Sequence, residues 1–382
     1  MLVSCEFQDS GHNMITLDIK KIWYYFTRYI DNFLLAGIFL LMLTGLIVLY
    51  SATGGNLTRV ISQLINMIVA FVVMWTIANI PLQRIMRLAF PIYVLGIILL
   101  VAVALFGEVQ NGARRWLNLG FVNIQPSELL KIAAPLMMSW YFDKAHITLR
   151  WRDYVVAVLI LLLPVLLIVR QPDLGTALLI LISGFYVIFL AGLSWQIIVG
   201  LAVAVAVSLP LLWTFGMHDY QRKRVMTMLD PSQDALGAGY HTIQSSIAIG
   251  SGGISGKGWL KGTQSQLDFL PEPSTDFIFS VFSEEFGLIG NSLLLSLYLI
   301  VIGRCLVITA RAPTRFTRLV AGSITLTFFT YVFVNMGMVS GILPVVGIPL
   351  PLISYGGTSM VTILLGFGIL MSIHTHPKLV KT

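Results

Sequence analysis

The stretch Leu267-Asp-Phe-Leu-Pro-Glu-Pro-Ser-Thr-Asp-Phe-Ile-Phe-Ser-Val-Phe-Ser-Glu-Glu-Phe-Gly287 carries a crowd of acids straight into a long apolar run. Asp268, Glu272, Asp276 and the Glu284/Glu285 pair all fall within it. The apolar run from 276 to 303 is 28 residues long, about 42 Å of helix at 1.5 Å per residue. A hydrocarbon core is about 30 Å thick, so the first turns should stand at or above its boundary. An ionised group at a helix centre in a bilayer costs roughly 2.5–3.5 kcal/mol, and its default reading is functional. Asp276 is the foremost candidate. Thr275 is expected to cap the helix, whose dipole would favour an ionised carboxylate. The plain alternative is an acid that merely complements that dipole.

The rest of the chain looks built for lipid. It is 57% hydrophobic and 11% charged with a mean hydropathy of +0.87, against about 25% charge in a soluble domain. Ten apolar segments are expected to cross a membrane, at about 33–50, 60–80, 89–107, 127–142, 154–169, 174–192, 195–214, 276–303, 317–338 and 351–373. The fourth is short and charged. The fold class is therefore all-α, a polytopic membrane protein with one long outer loop at about 215–275. The domain division is a tail at 1–30, a transmembrane domain at 31–375 and a tail at 376–382.

Lys and Arg set the orientation. With both termini inside, the inner segments hold Lys20, Lys21, Arg28, Arg84, Arg87, Lys144, Arg150, Arg152, Arg304, Arg311, Arg315, Arg318, Lys378 and Lys381. The short outer loops hold only Arg59, Arg114, Arg115 and Arg170. Long loops do not count in this rule, so the cluster Arg222-Lys223-Arg224 is no objection. The net charge of +7 is thus an inner-leaflet bias and not a nucleic-acid footprint. The first 30 residues carry Glu6, Asp9 and Asp18 and no apolar core, so they do not read as a cleavable signal. Cys5 and Cys305 both map to the reducing side and imply no disulfide.

The outer loop is glycine-rich. Its segment 240–250 is apolar enough for a helix lying on the membrane surface. The run Gly250-Ser-Gly-Gly-Ile-Ser-Gly-Lys-Gly258 is not a phosphate loop, because Ser251 stands five before Gly256 and Gly258 follows Lys257. A mobile loop whose backbone approaches a substrate is expected there, or a flexible lid.

Further motifs divide between chemistry and structure. Glu128 and Lys131 share one helical face, as a self-neutralising pair or with Lys131 turned to a phosphate. Arg115, beside Trp116, suits an anionic headgroup. Asp173 reads most simply as a helix cap, and Glu284 and Glu285 as structural pairing groups. Pro349, Pro351 and the run Ser354-Tyr-Gly-Gly357 imply irregular backbone, which membranes tolerate only inside protein or along a wet cavity, unless the small residues mark a tight helix crossing. Ser354, Tyr355, Gly356, Gly357 and Asp173 are candidate cavity-lining residues.

Together, Trp116-Leu-Asn-Leu-Gly120, Gln125-Pro-Ser-Glu128, Gln171-Pro-Asp-Leu-Gly-Thr176, Thr275-Asp-Phe-Ile-Phe279, Glu284-Glu285 and Pro349-Leu-Pro-Leu-Ile-Ser-Tyr-Gly-Gly357 resemble the SEDS family of bacterial cell-wall polymerases (RodA, FtsW, SpoVE). Tyr240-His-Thr-Ile-Gln-Ser245, Gly262-Thr-Gln-Ser-Gln266 and Gly341-Ile-Leu-Pro-Val-Val-Gly347 favour the RodA branch. The resemblance implies a peptidoglycan glycosyltransferase of cell elongation that polymerises lipid II, set in the bacterial inner membrane with its site on the outer face. It implies that Asp276 is the catalytic aspartate, and that a divalent cation, Mg²⁺ or Mn²⁺, takes part. It also implies a class B penicillin-binding protein as partner, with other elongation-complex components.

The chemistry agrees with the residues. An α-linked pyrophosphate donor and a β-1,4 product need one inverting displacement, in which a base takes the acceptor hydroxyl proton; Asp276 is assigned that role. Arg115 and Lys131, with Glu128 beside them, are assigned to the pyrophosphate. The competing class is a lipid II transporter that makes no bonds, but such a protein should show internal repeats and midplane charges. A mere scaffold leaves the acidic site unexplained. The partner's helix is expected against the eighth and ninth segments, at Gly290, Ser296, Tyr298, Gly322, Ser323 and Phe329.

Overall fold

In a computed structural model, residues 28–376 are described apart from 111–112, 119–122, 146–148, 172, 217–221, 223–225, 227–229, 231–237, 268 and 271. Most of the N-terminal tail, the C-terminal tail beyond 376, Lys223, Arg224 and Asp268 therefore lie outside the described residues.

Helices occupy all ten expected segments: α1 Asn32–Ala52, α2 Leu57–Ala78, α3 Leu82–Phe106, α4 Pro126–Lys144, α5 Trp151–Val169, α6 Leu174–Leu190, α7 Trp195–Leu211, α10 Ile278–Ala310, α11 Arg315–Val339 and α12 Gly357–Thr375. Seven of these, α1, α2, α3, α5, α10, α11 and α12, are long and apolar enough to cross a membrane. Their starts follow ordinary capping chemistry. Asp31 accepts from Leu34 N at 2.9 Å, the Asn56 side chain from Thr58 N at 3.0 Å, and Thr314 Oγ1 from Thr317 N at 3.1 Å. Between α3 and α4, three short strands, β1 Glu108–Gln110, β2 Ala113–Asn118 and β3 Asn123–Ile124, form an antiparallel ribbon holding Arg115 and Trp116. The class remains all-α.

Burial explains why α4 was the weakest segment in hydropathy. It packs against α3, α5, α6, α11 and α12, and Ser127, Glu128, Lys131 and Ser139 are buried together with its apolar side chains. A helix surrounded by protein does not need an apolar perimeter, and its charges can pair. By contrast α2 presents Leu57, Ile61, Leu64, Ile65, Ile68 and Val72 outward and packs its other face against α12. Asp31 pairs with Arg304 (Nε at 3.0 Å) and with His374 at 3.3 Å, tying the start of α1 to α10 and the last turn of α12. Tyr29 stacks on His376 with ring centres 4.4 Å apart. The first and last described residues thus share one end of the bundle.

Where it is described, the loop region packs onto the helical bundle. Helix α8, Ala238–Ser251, covers more than the expected 240–250 and packs against α10 and α11; Ser245 Oγ donates to Val339 O at 2.9 Å. The glycine run then fastens onto α10, followed by the short helix α9, Thr263–Gln266. Helix α10 breaks at Gly287 (φ 63°, ψ −162°), a conformation that favours glycine. Into that break the loop backbone inserts: Lys257 N donates to Glu284 O at 3.0 Å, Gly258 N to Glu285 O at 3.0 Å, Leu288 N to Gly253 O at 2.9 Å and Ile289 N to Ile254 O at 3.1 Å. A Cβ on Gly256 would lie 2.1 Å from Glu285 O. The expected mobile loop or lid is corrected accordingly. These glycines let backbone approach α10, where the broken helix would otherwise leave unpaired groups.

Of the six residues expected at a docking surface on the eighth and ninth segments, Tyr298, Gly322 and Ser323 are buried instead. Tyr298 and Ser323 are fully buried, their hydroxyls donating to Pro351 O at 2.7 Å and Ser183 O at 2.8 Å, and a Cβ on Gly322 would strike Leu190 Cδ1. Small residues at 322–323 allow contact within the bundle; only Ser296 and Phe329 of that set are exposed.

Candidate active site

At the end opposite the chain termini, Asp276 sits in a turn over 273–277 just before α10. Thr275 does not cap the helix as expected. Phe277 occupies the cap position without a side-chain bond, and Thr275 Oγ1 donates instead to Glu272 Oε2 at 2.9 Å. The expected dipole stabilisation is outweighed too. Burial, and then the negative charge of Glu272, push the Asp276 carboxyl up to about 6. Among the described residues no hydrogen-bond donor reaches that carboxylate.

The turn is held by the irregular segment that precedes α12. Ser354 Oγ donates to Thr275 O at 2.7 Å and accepts from Leu350 N at 2.8 Å, while Tyr355 N donates to Ser274 O at 2.9 Å. From α2, Gln63 clasps the same segment with its whole amide: Nε2 donates to Ser354 O and Oε1 accepts from Gly356 N, both at 3.2 Å. From α11, Asn335 Nδ2 donates to Asp276 O at 2.9 Å and to Ile348 O at 2.7 Å. Gly347 (φ +71°) faces the carboxylate, and a Cβ there would stand 3.3 Å from Asp276 Oδ2. Prolines 349 and 351 keep this segment from becoming helix, so its polar backbone remains available to hold the turn.

Two further polar groups lie on α4 and its neighbours. Asp173 caps α6, accepting from Thr176 N at 3.2 Å, and also accepts from Gln125 Nε2 at 3.3 Å. Arg115 Nε lies 4.0 Å from Asp173 Oδ2. Lys131 Nζ meets Glu128 Oε1 at 2.6 Å and lies 5.4 Å from the centre of the Tyr331 ring. Glu128 Oε2 is buried with no hydrogen-bond partner.

Glu128 also lines a cavity of about 440 Å³ between α2, α3, α4 and α12. Its polar lining is Asn66, Gln125, Glu128, Gly357, Thr358 and Thr362, and its apolar lining includes Ile77, Ile85, Leu88, Ile132, Leu365 and Ile369. Of the candidate lining residues, Gly357 borders this cavity, whereas Ser354, Tyr355 and Gly356 use their polar groups on the Asp276 turn and Gln63. Such a space suits an amphiphile with a long apolar part.

Glu284 and Glu285, fully buried, are structural groups. Glu284 Oε1 accepts from Lys257 Nζ at 2.6 Å, Thr263 N at 2.8 Å and Gln264 N at 3.2 Å. Glu285 accepts from Ser51 Oγ and, at 3.1 Å, from Leu260 N. Among the described residues no three His, Cys, Asp or Glu side chains converge as a metal cage. The residues that sequence reasoning missed are Gln63, Asn335 and Gly347. A buried amide inside an apolar helix was visible as a signal, but its target was not.

Fold and site define a polytopic helical membrane protein with a carboxylate held in a turn at one end and an amphiphile-sized cavity between four of its helices. The chain belongs to the FtsW/RodA/SpoVE (SEDS) family of cell cycle proteins, whose pattern it matches over residues 29–379. It is 50% identical over 353 residues to the peptidoglycan glycosyltransferase MrdB of Escherichia coli (strain K12), covering 92% of this chain and 95% of that protein. With the Helicobacter pylori (strain 26695) protein of the same name it is 36% identical over 357 residues, 92% of this chain and 90% of the other. Among solved structures it is similar to a chain of a peptidoglycan synthase complex that coordinates polymerization and crosslinking, with TM-score 0.80 and 30% identity over 90% of this chain and 97% of that one. It is also similar to the rod shape determining protein RodA of Thermus thermophilus, with TM-score 0.68 and 28% identity over 90% and 96%.

Proposed function

We propose that this protein is a peptidoglycan glycosyltransferase that polymerises lipid II into glycan strands for cell elongation. The observation that carries the reading is the Asp276 carboxylate. It is half-buried, free of hydrogen-bond donors among the described residues, and raised to about 6, which suits a base working near neutral pH. Asp276 takes the proton from the acceptor 4-hydroxyl as that oxygen displaces the pyrophosphate at the anomeric carbon, inverting it. The leaving pyrophosphate needs neutralisation of charge, not an acid; Arg115, beside Asp173, is one candidate. Lys131, already paired with Glu128, acts in that role only if the substrate competes for it. A prenyl tail fits the apolar part of the cavity.

A divalent cation rests on the resemblance alone. Mg²⁺ commonly binds through one or two carboxylates together with substrate phosphates, so Asp276 or Glu272 would hold it and it would neutralise the leaving group. A transporter reading is weaker: Asp276 stands in a turn outside α10, not at mid-span. The protein is assigned to the bacterial inner membrane with both termini cytoplasmic and Asp276 outward. A cysteine at Leu267, exposed on the loop, in a background lacking Cys5 and Cys305, should react with an impermeant thiol reagent in intact spheroplasts; labelling only after lysis overturns the orientation. The partner is a class B penicillin-binding protein, with other elongation components. The test of activity is purified protein with labelled lipid II, with and without that partner: glycan ladders support the assignment, and transfer of lipid II across vesicles without ladders replaces it.

A further inference from the structure

Asn335 lies near the end of α11, fully buried, in a helix whose other side chains beyond Arg318 are all apolar or hydroxyl-bearing. Its Nδ2 donates to two carbonyls 59 and 13 residues distant in sequence, those of Asp276 and Ile348. The first belongs to the residue that carries the reactive carboxylate. The second follows Gly347, the backbone wall against which that carboxylate rests. One amide nitrogen therefore spans the two sides of the site. Its Oδ1 is buried without a partner, so the side chain carries an uncompensated polar atom for the sake of its donor. A residue needed only for packing would be leucine, which has the same branching and no such cost.

We infer that Asn335 is the positioning residue for Asp276: by holding both carbonyls it fixes the gap between the carboxylate and Gly347, and hence where the acceptor hydroxyl must arrive. Gln63 does the same one step removed, since it grips 354–356, which in turn grips 274–275. The inference rests on Asp276 being the base. Displacement of a reacting group by about 1 Å costs on the order of a hundredfold in rate, whereas substrate binding, made largely elsewhere, should persist.

The test uses the full chain with its partner and labelled lipid II. Asn335→Leu should lower kcat about 10- to 100-fold while KM stays within about twofold, and Gln63→Leu should lower kcat less. A double variant with Asp276→Asn should be no slower than Asp276→Asn alone, because a positioning residue has nothing left to position. If Asn335→Leu does not fold, Asn335→Ala, which also removes the donor, is read in the same way. Wild-type kcat per folded molecule with reduced thermal stability overturns the inference, as does a loss that multiplies with that of Asp276→Asn. Near-normal polymerisation by Asp276→Asn itself would remove the base assignment instead, and this inference with it.

Discussion

Asp276 and Glu284 stand eight residues apart in one stretch of sequence, and their surroundings are opposites. Glu284 is saturated: an ammonium, two backbone N–H groups and a hydroxyl surround its Oε1. Glu285 is intermediate: its Oε1 receives a hydroxyl and a backbone N–H, while its Oε2 is buried without a partner. Asp276 receives none of these among the described residues, and the structure grips its backbone instead. Glu284, which fastens the loop to the helix, is satisfied at both oxygens. A carboxylate fixed by its main chain, with no donor at its oxygens among the described residues, fits the proposed role of base. The difference follows from what each residue faces: the glutamates meet the inserted 253–264 backbone, and Asp276 meets a glycine.

That contrast should be sharpest in Asp276→Asn. Removing a general base should reduce polymerisation by about 10²–10⁴-fold with insertion and partner binding unchanged; ladders from labelled lipid II at near-normal rate would sink the assignment. Lys131→Met tests the intermediate case, a buried pair that either neutralises itself or serves the pyrophosphate. Turnover should fall about a hundredfold if the charge faces substrate, on top of about 3–5 kcal/mol of lost stability from leaving Glu128 unpaired. Activity per folded molecule that survives a lower unfolding temperature makes the pair structural.

Glu284→Gln should act on stability more than on rate. It replaces charge-assisted bonds worth about 1.5–3 kcal/mol each, so limited proteolysis within 251–266 should speed up while folded protein still polymerises. An intact loop with abolished turnover would erase the distinction drawn above. The smallest effect concerns pH. The folded-state Asp276 carboxyl titrates at about 6 against 3.8 when unperturbed, so folding favours its neutral form. That contribution is complete below about 3.8 and lost as pH rises through about 6. Asp276→Asn should therefore be more stable than the parent at pH 8, by no more than about 3 kcal/mol, with the gain shrinking at pH 5. Thermal unfolding in detergent at both values decides it. Parent activity should in turn fall on the acid side of about 6.

The sequence by itself determined the class of the protein, because hydropathy is a local property: runs of about 20 apolar residues need a bilayer whatever surrounds them. All ten helical segments follow from it, and so do the motifs that mark the family and single out Asp276. What only the tertiary structure decided is which polar groups meet. The glycines at 250–258 looked like a mobile loop because a sequence shows that backbone can come close to something, not to what; here it is the broken turn of α10 at Gly287. Gly322, Ser323 and Tyr298 looked like a surface for a partner because small and aromatic residues suit any close contact, inside the bundle or outside it. Asn335 and Gly347 reach Asp276 from 59 and 71 residues away, and Gln63 reaches 354–356 from about 290 away; long-range pairing of this kind leaves no periodic trace in the chain.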